Sequence, residues 1–185
     1  EIKVKVDRPG VDVRARRGYF AVADTASPAE KNEEKMADAI RSPLESTDLA
    51  FDLQADAVEV SSARQLKVRL TLDARQLRFQ QQGDRWADTL DKVWAEFNSE
   101  GRQVGTITKS INLNATQDEY KQLLQSGYTS AETLALANDA AEIHLVLRDT
   151  GTGAIGSVII PLSKLFKPAP APATPQSQPP PQTGK

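Results

Sequence analysis

Two apolar runs around a short glycine-containing loop, at residues 142–162 (EIHLVLRDTGTGAIGSVIIPL), constrain the fold more than any other stretch of this chain. In the first run Ile143, Leu145 and Leu147 occupy alternate positions, and the second run is rich in β-branched residues. Such runs on either side of a glycine turn are typical of a β-hairpin. A lone hairpin is marginally stable in water, so we expect the rest of the chain to supply further strands.

Upstream stretches alternate in the same way. Residues 48–60 and 65–72 carry an apolar residue at nearly every second position, which predicts antiparallel strands with one buried face. The phase of the first stretch shifts near Ala57, and this shift predicts a bulge or a bend. Residues 77–79 predict a further short strand, followed by a turn over residues 80–84.

Residues 86–97 (WADTLDKVWAEF) fit two patterns. A helix would align Leu90, Val93, Trp94 and Phe97. Alternate positions also fit a strand, and we predict a strand because the turn at residues 98–101 and the β-rich run after it then complete a hairpin. A helix would leave that run without a partner. Trp94 is expected in the core.

Two short helices are predicted from their terminal residues. A capping box that begins at Ser27 starts a polar helix over residues 27–41, which we expect on the surface as a link to the main domain. A second box at Thr116 starts a helix over residues 116–127, and its last residue is a glycine suited to the C-cap. This second helix is expected either to cross between two sheets or to plug one end of a barrel, and a further strand follows it.

Composition excludes several classes of function. The 185 residues carry a formal net charge of -2, so no basic field exists to attract nucleic acid. There is no cysteine for disulfides or thiolate ligands, and no phosphate-binding or zinc-binding spacing occurs. No apolar run approaches the roughly 18 residues of a membrane span. We therefore expect no cofactor, no metal and no nucleic-acid partner.

The two ends of the chain differ from its middle. Residues 1–20 predict a two-stranded ribbon around the turn Asp7-Arg8-Pro9-Gly10. Because the chain starts without methionine, we expect this ribbon to be the last piece of an upstream domain in a longer protein. Residues 167–185 hold most of the prolines, and we expect a disordered spacer or tail there.

The ribbon resembles a known family. Its pattern KVKV-x-RPGV-x-VRAR-x-GYFA is similar to the closing segment of the von Willebrand factor A-related domain found in many acidobacterial proteins. The matching residues are Lys3–Val6, Arg8–Val11, Val13–Arg16 and Gly18–Ala21. The domain that follows in that family is similar at Trp94–Phe97, Gly101–Gly105, Arg148-Asp149, Thr152-Gly153, Gly156-Ser157 and Ile160–Leu162.

The resemblance implies an accessory β-domain behind an A-like domain in an exported bacterial protein. It implies a secreted, periplasmic or cell-surface location, a role in adhesion or support, and a partner that is another protein or the upstream domain. The family's A domain holds its metal through Asp-x-Ser-x-Ser, which this chain lacks. The adhesion-type metal site is therefore not carried over.

Asp149-Thr150-Gly151-Thr152 is similar to the catalytic Asp-Thr-Gly-Thr of retropepsin-type aspartic proteases, in which two such carboxylates share a proton. Arg148 stands where those enzymes have an apolar residue, and its charge would favour ionised carboxylates. Asp-Thr-Gly is also ordinary turn chemistry, because the Asp side chain caps the turn. We favour the turn and expect no catalytic residues.

Other candidate residues have structural interpretations that we favour. His144 is the only histidine and is expected to be a partly exposed strand residue. Asp84, Asp88 and Asp91 offer oxygen ligands for calcium, but alternate exposed strand positions explain them better. Trp86 is the one possible ligand-facing aromatic residue, as in a sugar-stacking platform.

These observations predict an all-β, mainly antiparallel, immunoglobulin-like β-sandwich with one or two short helices. The predicted organisation is a truncated A-like ribbon at 1–22, a helical linker at 23–43, the sandwich at 44–166 and a proline-rich tail at 167–185. The expected function is non-catalytic protein–protein interaction or structural support. A carbohydrate-binding sandwich is the alternative, and an aspartic protease acting through Asp149-Thr150-Gly151 is a remote one.

Overall fold

The computed structural model describes residues 27–60 and 63–166, which form two antiparallel sheets around a shared core. The strands are β1 (Phe51–Val60), β2 (Ala63–Leu72), β3 (Gln80–Gln82), β4 (Arg85–Asn98), β5 (Gln103–Thr116), β6 (Tyr128–Ala135), β7 (Ala140–Asp149) and β8 (Ile155–Pro161). The helices are α1 (Pro28–Arg41) and α2 (Gln117–Ser126), with single 3-10 turns at Ala74–Gln76 and Leu162–Lys164. The predicted all-β sandwich with two short helices is confirmed.

One sheet has three strands in the order β1-β2-β6, and the other has five strands with β4 at its centre. β5 pairs along one side of β4, while β3 and then β7 pair along its other side, and β8 pairs with β7. The predicted hairpin of β7 and β8 is confirmed, with Glu142 opposite Pro161 and Arg148 opposite Ile155.

The inward rows of both sheets form one apolar core. Fully buried members include Leu66, Leu70 and Leu72 from β2, Leu90 and Trp94 from β4, and Ile143, Leu145 and Leu147 from β7. Each such side chain contributes about 1.5–3 kcal/mol through removal from water. The alternation seen in the sequence therefore reports the buried face of each strand.

β4 is a strand over its whole length, as predicted for residues 86–97. Trp94 is 2% exposed, which confirms its place in the core. The sequence also fitted a helix because β4 is covered on both faces. Leu90 and Trp94 face the other sheet, whereas Val93 packs against α1.

α1 begins at the predicted capping box and packs on the outer face of the five-stranded sheet. The Glu30 N–H donates to Ser27 Oγ at 3.3 Å, and the Ser27 N–H donates to the Glu30 carboxylate at 2.6 Å. Apolar residues of the helix join a second, smaller core whose buried members are Met36, Ala39, Val93, Val146 and Ile155. The boundary between a helical linker and the sandwich stays a prediction, although α1 contacts the sandwich directly.

α2 links β5 of one sheet to β6 of the other, as the sequence predicted. Thr116 caps its N-terminus in a second capping box with Glu119. Gly127 closes its C-terminus with φ 76°, and a Cβ at this position would lie 2.8 Å from the carbonyl oxygen of Leu72. Both the backbone conformation and the close approach require glycine here.

A short segment before β1, residues 45–49, is called the strap because it runs along the outer edge of β8. The Leu49 N–H donates to the Ile155 carbonyl at 3.1 Å, and the Ser157 N–H donates to the Ser46 carbonyl at 2.9 Å. The chain then crosses into the three-stranded sheet as β1. The strap thereby covers the outer edge of β8.

The strap needs a glycine beneath it and a carboxylate at its start. A Cβ on Gly156 would lie 1.9 Å from the Leu49 carbonyl oxygen, which no backbone tolerates. The Glu45 carboxylate accepts the Ile159 N–H at 3.0 Å. These contacts use edge groups of β8 that would otherwise be open to another strand.

The bulge predicted near Ala57 is wrong. The pairing of β1 with β2 runs from Phe51 opposite Leu72 to Val60 opposite Ala63 without a register shift. The apolar phase changes because Val58 and Val60 lie on the outer face of the sheet, where Val60 is half exposed.

The strand predicted at residues 77–79 is displaced to Gln80–Gln82, and the turn after it is confined to Gly83 and Asp84. Side-chain identity misled the prediction, because Leu77 is buried outside any strand while three exposed glutamines pair with β4. The ribbon predicted at residues 1–20 and the tail at 167–185 lie outside the described residues.

Candidate functional site

The side of the sandwich opposite the strap carries the two outermost strands β5 and β6. Among residues 27–60 and 63–166, β5 pairs only with β4 and β6 pairs only with β2. β5 offers 14 residues of backbone along its outer edge, and β6 offers 8 residues. Unpaired strand edges of this length are templates for another strand.

A cluster of three charged side chains joins β4 and β5 to β6 on this side. Lys92 of β4 points into the sandwich and donates to Glu132 Oε1 of β6, and its side chain is 4% exposed. The Trp94 indole N–H donates to the same oxygen at 3.0 Å. Lys109 of β5 donates to Glu132 Oε2 at 2.6 Å and is 51% exposed. One carboxylate therefore serves two ammonium groups.

The surroundings of Glu132 keep it charged. Burial alone would raise the pKa of its carboxyl, but hydrogen bonds from Lys109 and Lys92 outweigh that effect and hold the pKa below its ordinary value. The positive charge of Lys92 and the Trp94 N–H act in the same direction. The cluster therefore combines two ammonium groups with one carboxylate.

A cleft of about 460 Å³ lies next to this cluster, between the ends of β5 and β6 and under α2. Its walls combine apolar and amide side chains, among them Leu113, Leu123, Tyr128, Asn112, Asn114 and Gln122. The inward row of β5 continues from the cleft toward the ion pair as Ile111, Lys109 and Ile107. Both isoleucines are half-buried, so this row is incompletely covered.

The turn with the Asp-Thr-Gly-Thr motif lies at the end of the β7–β8 hairpin. Asp149 is fully buried, and its carboxylate accepts the Gly151 N–H at 2.9 Å and the Thr152 hydroxyl at 2.6 Å. The side chain thus caps its own turn, which is the arrangement that the turn interpretation predicts. Its carboxylate is enclosed and does not line a described cleft.

Asp88 lies on the inner face near this turn, and the expectation that it is exposed is wrong. Burial, with a further contribution from the charge of Asp149, raises the pKa of Asp88 to about 6. The Thr89 N–H donates to its Oδ1 at 2.7 Å, while Oδ2 is buried without a donor. Two carboxylates can form a hydrogen bond with each other only if one of them is protonated. Protonation of Asp88 would therefore remove its repulsion with Asp149 and also allow its Oδ2 to take part in a hydrogen bond.

Arg148 does not face Asp149, contrary to the expectation from their adjacency. Neighbouring residues of a strand point to opposite faces, and Arg148 lies on the outer face, where it donates to Asp91. Asp91 also accepts the Ser110 hydroxyl at 2.8 Å. The three aspartates considered as a calcium site are dispersed, with Asp84 in an exposed turn, Asp88 inside and Asp91 outside.

Trp86, the sequence-predicted ligand-facing aromatic, is half-buried beneath α2. Its ring stacks on Tyr120 with centroids 4.3 Å apart, and Tyr120 meets Phe79 edge-on at 5.1 Å. The indole N–H donates to Gln117 at 2.8 Å. One face and the polar edge of Trp86 therefore already have partners within the domain.

His144 is buried, so the prediction of partial exposure is wrong. It lies under α1, with Nδ1 at 2.7 Å from the Ile40 carbonyl oxygen and Nε2 at 3.2 Å from the Glu142 carboxylate. Its ring packs against Phe97 with centroids 4.6 Å apart. These contacts anchor the helix to the sheet and leave the ring no free nitrogen.

Sequence reasoning missed Lys92, Lys109 and Glu132. One signal was available, because Lys92 shares its strand phase with Leu90 and Trp94 and so had to point inward. Nothing local points to Glu132, since the register of β6 depends on pairing with distant β2. Among the described residues, no group of three or more metal-ligating side chains comes together. None of the helices in that part of the chain is long and apolar enough to span a bilayer.

Comparison with known proteins gives only weak structural likenesses. No protein-family model matches the chain, and no curated protein is similar to it in sequence. A structural genomics target designated SoR45 superposes with a TM-score of 0.32 at 10% identity, covering 62% of this chain and 83% of that one. A β-glucuronidase and a β-glucuronidase 2 of Bacteroides uniformis reach TM-scores of 0.31 and 0.32 at 14% identity, and each match covers 59% of this chain and 12% of the enzyme.

Proposed function

We propose that this domain is a non-catalytic interaction module that binds an extended segment of another protein by adding it as a strand to the outer edge of β5. The observation that carries the proposal is the contrast between the two sides of the sandwich. The strap occupies the edge of β8, whereas β5 presents a longer edge with no strand beside it in the described part of the chain. Strand addition is a common mode of peptide recognition.

The faces of β5 also suit this mode. Its outward row is polar and rich in threonine and serine, with Thr106, Thr108 and Ser110 exposed. Its inward row leaves Ile107 and Ile111 half-buried. An added strand would gain main-chain hydrogen bonds from the edge and apolar contacts from every second side chain.

The resemblance to von Willebrand factor A-related proteins supports the same class of function. On that basis we propose an accessory module of an exported bacterial protein that takes part in adhesion or support. The partner is then a different protein or the A-like domain upstream.

The two alternatives, an aspartic protease and a carbohydrate-binding domain, receive less support. Asp149 is enclosed and satisfied by its own turn, which does not suit a carboxylate that must reach a peptide bond. Trp86 stacks on Tyr120, which takes up one of the ring faces that a sugar platform needs.

The proposal is tested with a fluorescent, acetylated peptide of alternating threonine and valine that has serine at its centre. We expect saturable binding in an anisotropy titration. Two control peptides carry N-methyl groups on alternate residues. The methyl groups remove the N–H donors along one edge of the added strand in the first control and along the opposite edge in the second, without changing the side chains. Methylation of the edge that faces β5 should abolish binding, and methylation of the opposite edge should preserve it. Absence of binding by the unmethylated peptide, or equal binding by all three, would overturn the proposal.

A further inference from the structure

The charge at the middle of the open edge distinguishes one class of bound segment. Lys92 and Glu132 are a buried pair whose charges balance, and the second ammonium group, Lys109, is the excess charge. Lys109 is half exposed, and its contact with Glu132 uses one of its three N–H donors. The remaining donors are therefore available for an acceptor that arrives at the edge.

The neighbours of Lys109 define the rest of the recognition surface. Ile107 and Ile111 lie two positions away on the same inward face, and both are half-buried. A strand added beside β5 places its side chains about 5 Å from those of β5 at opposing positions on this face. Three consecutive inward positions of the added strand thus meet an apolar, a cationic and an apolar residue.

Resting on the proposed strand addition, we propose that the bound segment carries an acidic residue opposite Lys109, flanked two residues away on both sides by apolar residues. The chemistry is apolar-x-acid-x-apolar in an extended conformation. The carboxylate accepts from Lys109, and the apolar side chains cover Ile107 and Ile111. Opposite-charge pairs across strands are favourable, while like charges directly opposite are unfavourable.

A second copy of the chain fits this surface less well. Antiparallel pairing of two β5 strands centred on Lys109 would set two ammonium groups opposite each other on the same face. The inward lysine therefore acts against self-pairing, which is a known protection of sheet edges. The segment that binds must bring the charge that Lys109 lacks.

The test compares three acetylated threonine–valine peptides that differ only at the central inward residue, which is Glu, Ser or Lys. We expect the Glu peptide to bind about tenfold tighter than the Lys peptide, with Ser between them, and the difference to shrink as salt is raised. Equal affinities of the three peptides would overturn the acidic preference while leaving strand addition intact. Absence of binding by all three would overturn the proposed function itself.

Two variants assign the preference to Lys109. In Lys109→Gln the Glu and Lys peptides should bind alike, and in Lys109→Glu the order should reverse. Thermal unfolding of each variant checks that the domain still folds, and Lys109→Gln remains informative if the charge reversal beside Glu132 prevents folding. A preference for the Glu peptide that survives in Lys109→Gln would contradict the role of this residue. Self-association of the wild-type domain that the Glu peptide cannot disrupt would contradict it as well.

Discussion

The two sides of the sandwich solve the problem of the sheet edge in different ways. The outer edge of β8 is covered by the strap, whose main-chain bonds reach Ile155 and Ser157 and whose approach depends on Gly156. Among the described residues, the β5 side has no strand at its outer edge, and the inward-facing Lys109 of that strand is bound to Glu132. The backbone groups of a covered edge already have hydrogen-bond partners. An uncovered edge with an inward-facing lysine disfavours pairing with a second copy of itself but can still accept a strand of complementary charge. We propose that this difference makes the β5 side the one that is available for binding.

The largest expected effect comes from the closed side. Gly156→Val should destabilise the domain by about 4 kcal/mol or more, because even a Cβ would overlap the Leu49 carbonyl oxygen and force the strap away. Chemical denaturation measures the change. Gly101→Ala is the matched control, since its Cβ meets open space and only its positive φ is strained, at about 1 kcal/mol. Equal losses for the two would show that the strap is not packed as described.

Removal of the carboxylate on the open side should be the next largest effect. Glu132→Ala leaves Lys92 buried without a counter-charge and should cost about 3 kcal/mol in the free energy of unfolding. Glu59→Ala, on the exposed end of β1, is the control and should stay within about 0.5 kcal/mol of wild type. A loss for Glu132→Ala no larger than the control's would mean that the ion pair does not organise the open side.

A smaller, pH-dependent effect is expected at the end of the sandwich where β4 meets the β7–β8 turn. The folded pKa of Asp88, about 6, lies above its ordinary value of 3.8. The folded protein thus binds this proton more tightly than the unfolded chain, and the resulting stability is fully present below about pH 4 and lost as the pH rises through 6. Asp88→Asn should therefore gain roughly 2–3 kcal/mol at pH 8 and nothing at pH 4.

Unfolding curves of wild type and Asp88→Asn across this range measure that gain. Glu59→Ala, a substitution at an exposed strand position, serves again as the control. A gain of the same size at pH 4 and pH 8 would assign the effect to packing and not to the charge of Asp88.

Much of the fold could be predicted from local pattern, and the candidate site could not. The β7–β8 hairpin, the strand at residues 86–97 and both capping boxes depend on neighbours within a few positions, so their residues announce them. Glu132 and Lys92 meet only because β6 pairs with β2 and the two sheets stack, which no local period encodes. The strap likewise depends on contacts between residues 45–49 and a strand more than 100 positions away.

Exposure was the least predictable property. His144 and Asp88 were expected at the surface because polar residues on strands normally face water, yet α1 covers the first and the β7–β8 turn encloses the second. Both coverings are tertiary, and each replaces water around the side chain with protein groups. The alternation of inward and outward positions along β4 places Asp88 and Lys92 on the inner face. This alternation, and not side-chain polarity, therefore predicts that both residues are buried.

The central claim is that β5 is the edge that receives a partner strand, and amide hydrogen exchange tests it most directly. With the Glu-centred peptide at saturation, proteolytic fragments of the domain that cover residues 103–116 should show slower amide exchange, because the N–H groups on the outer edge of β5 become hydrogen-bonded. Residues 155–161 of β8, already covered by the strap, should be unchanged. Slower exchange confined to β8, or no change along β5 despite bound peptide, would contradict the account.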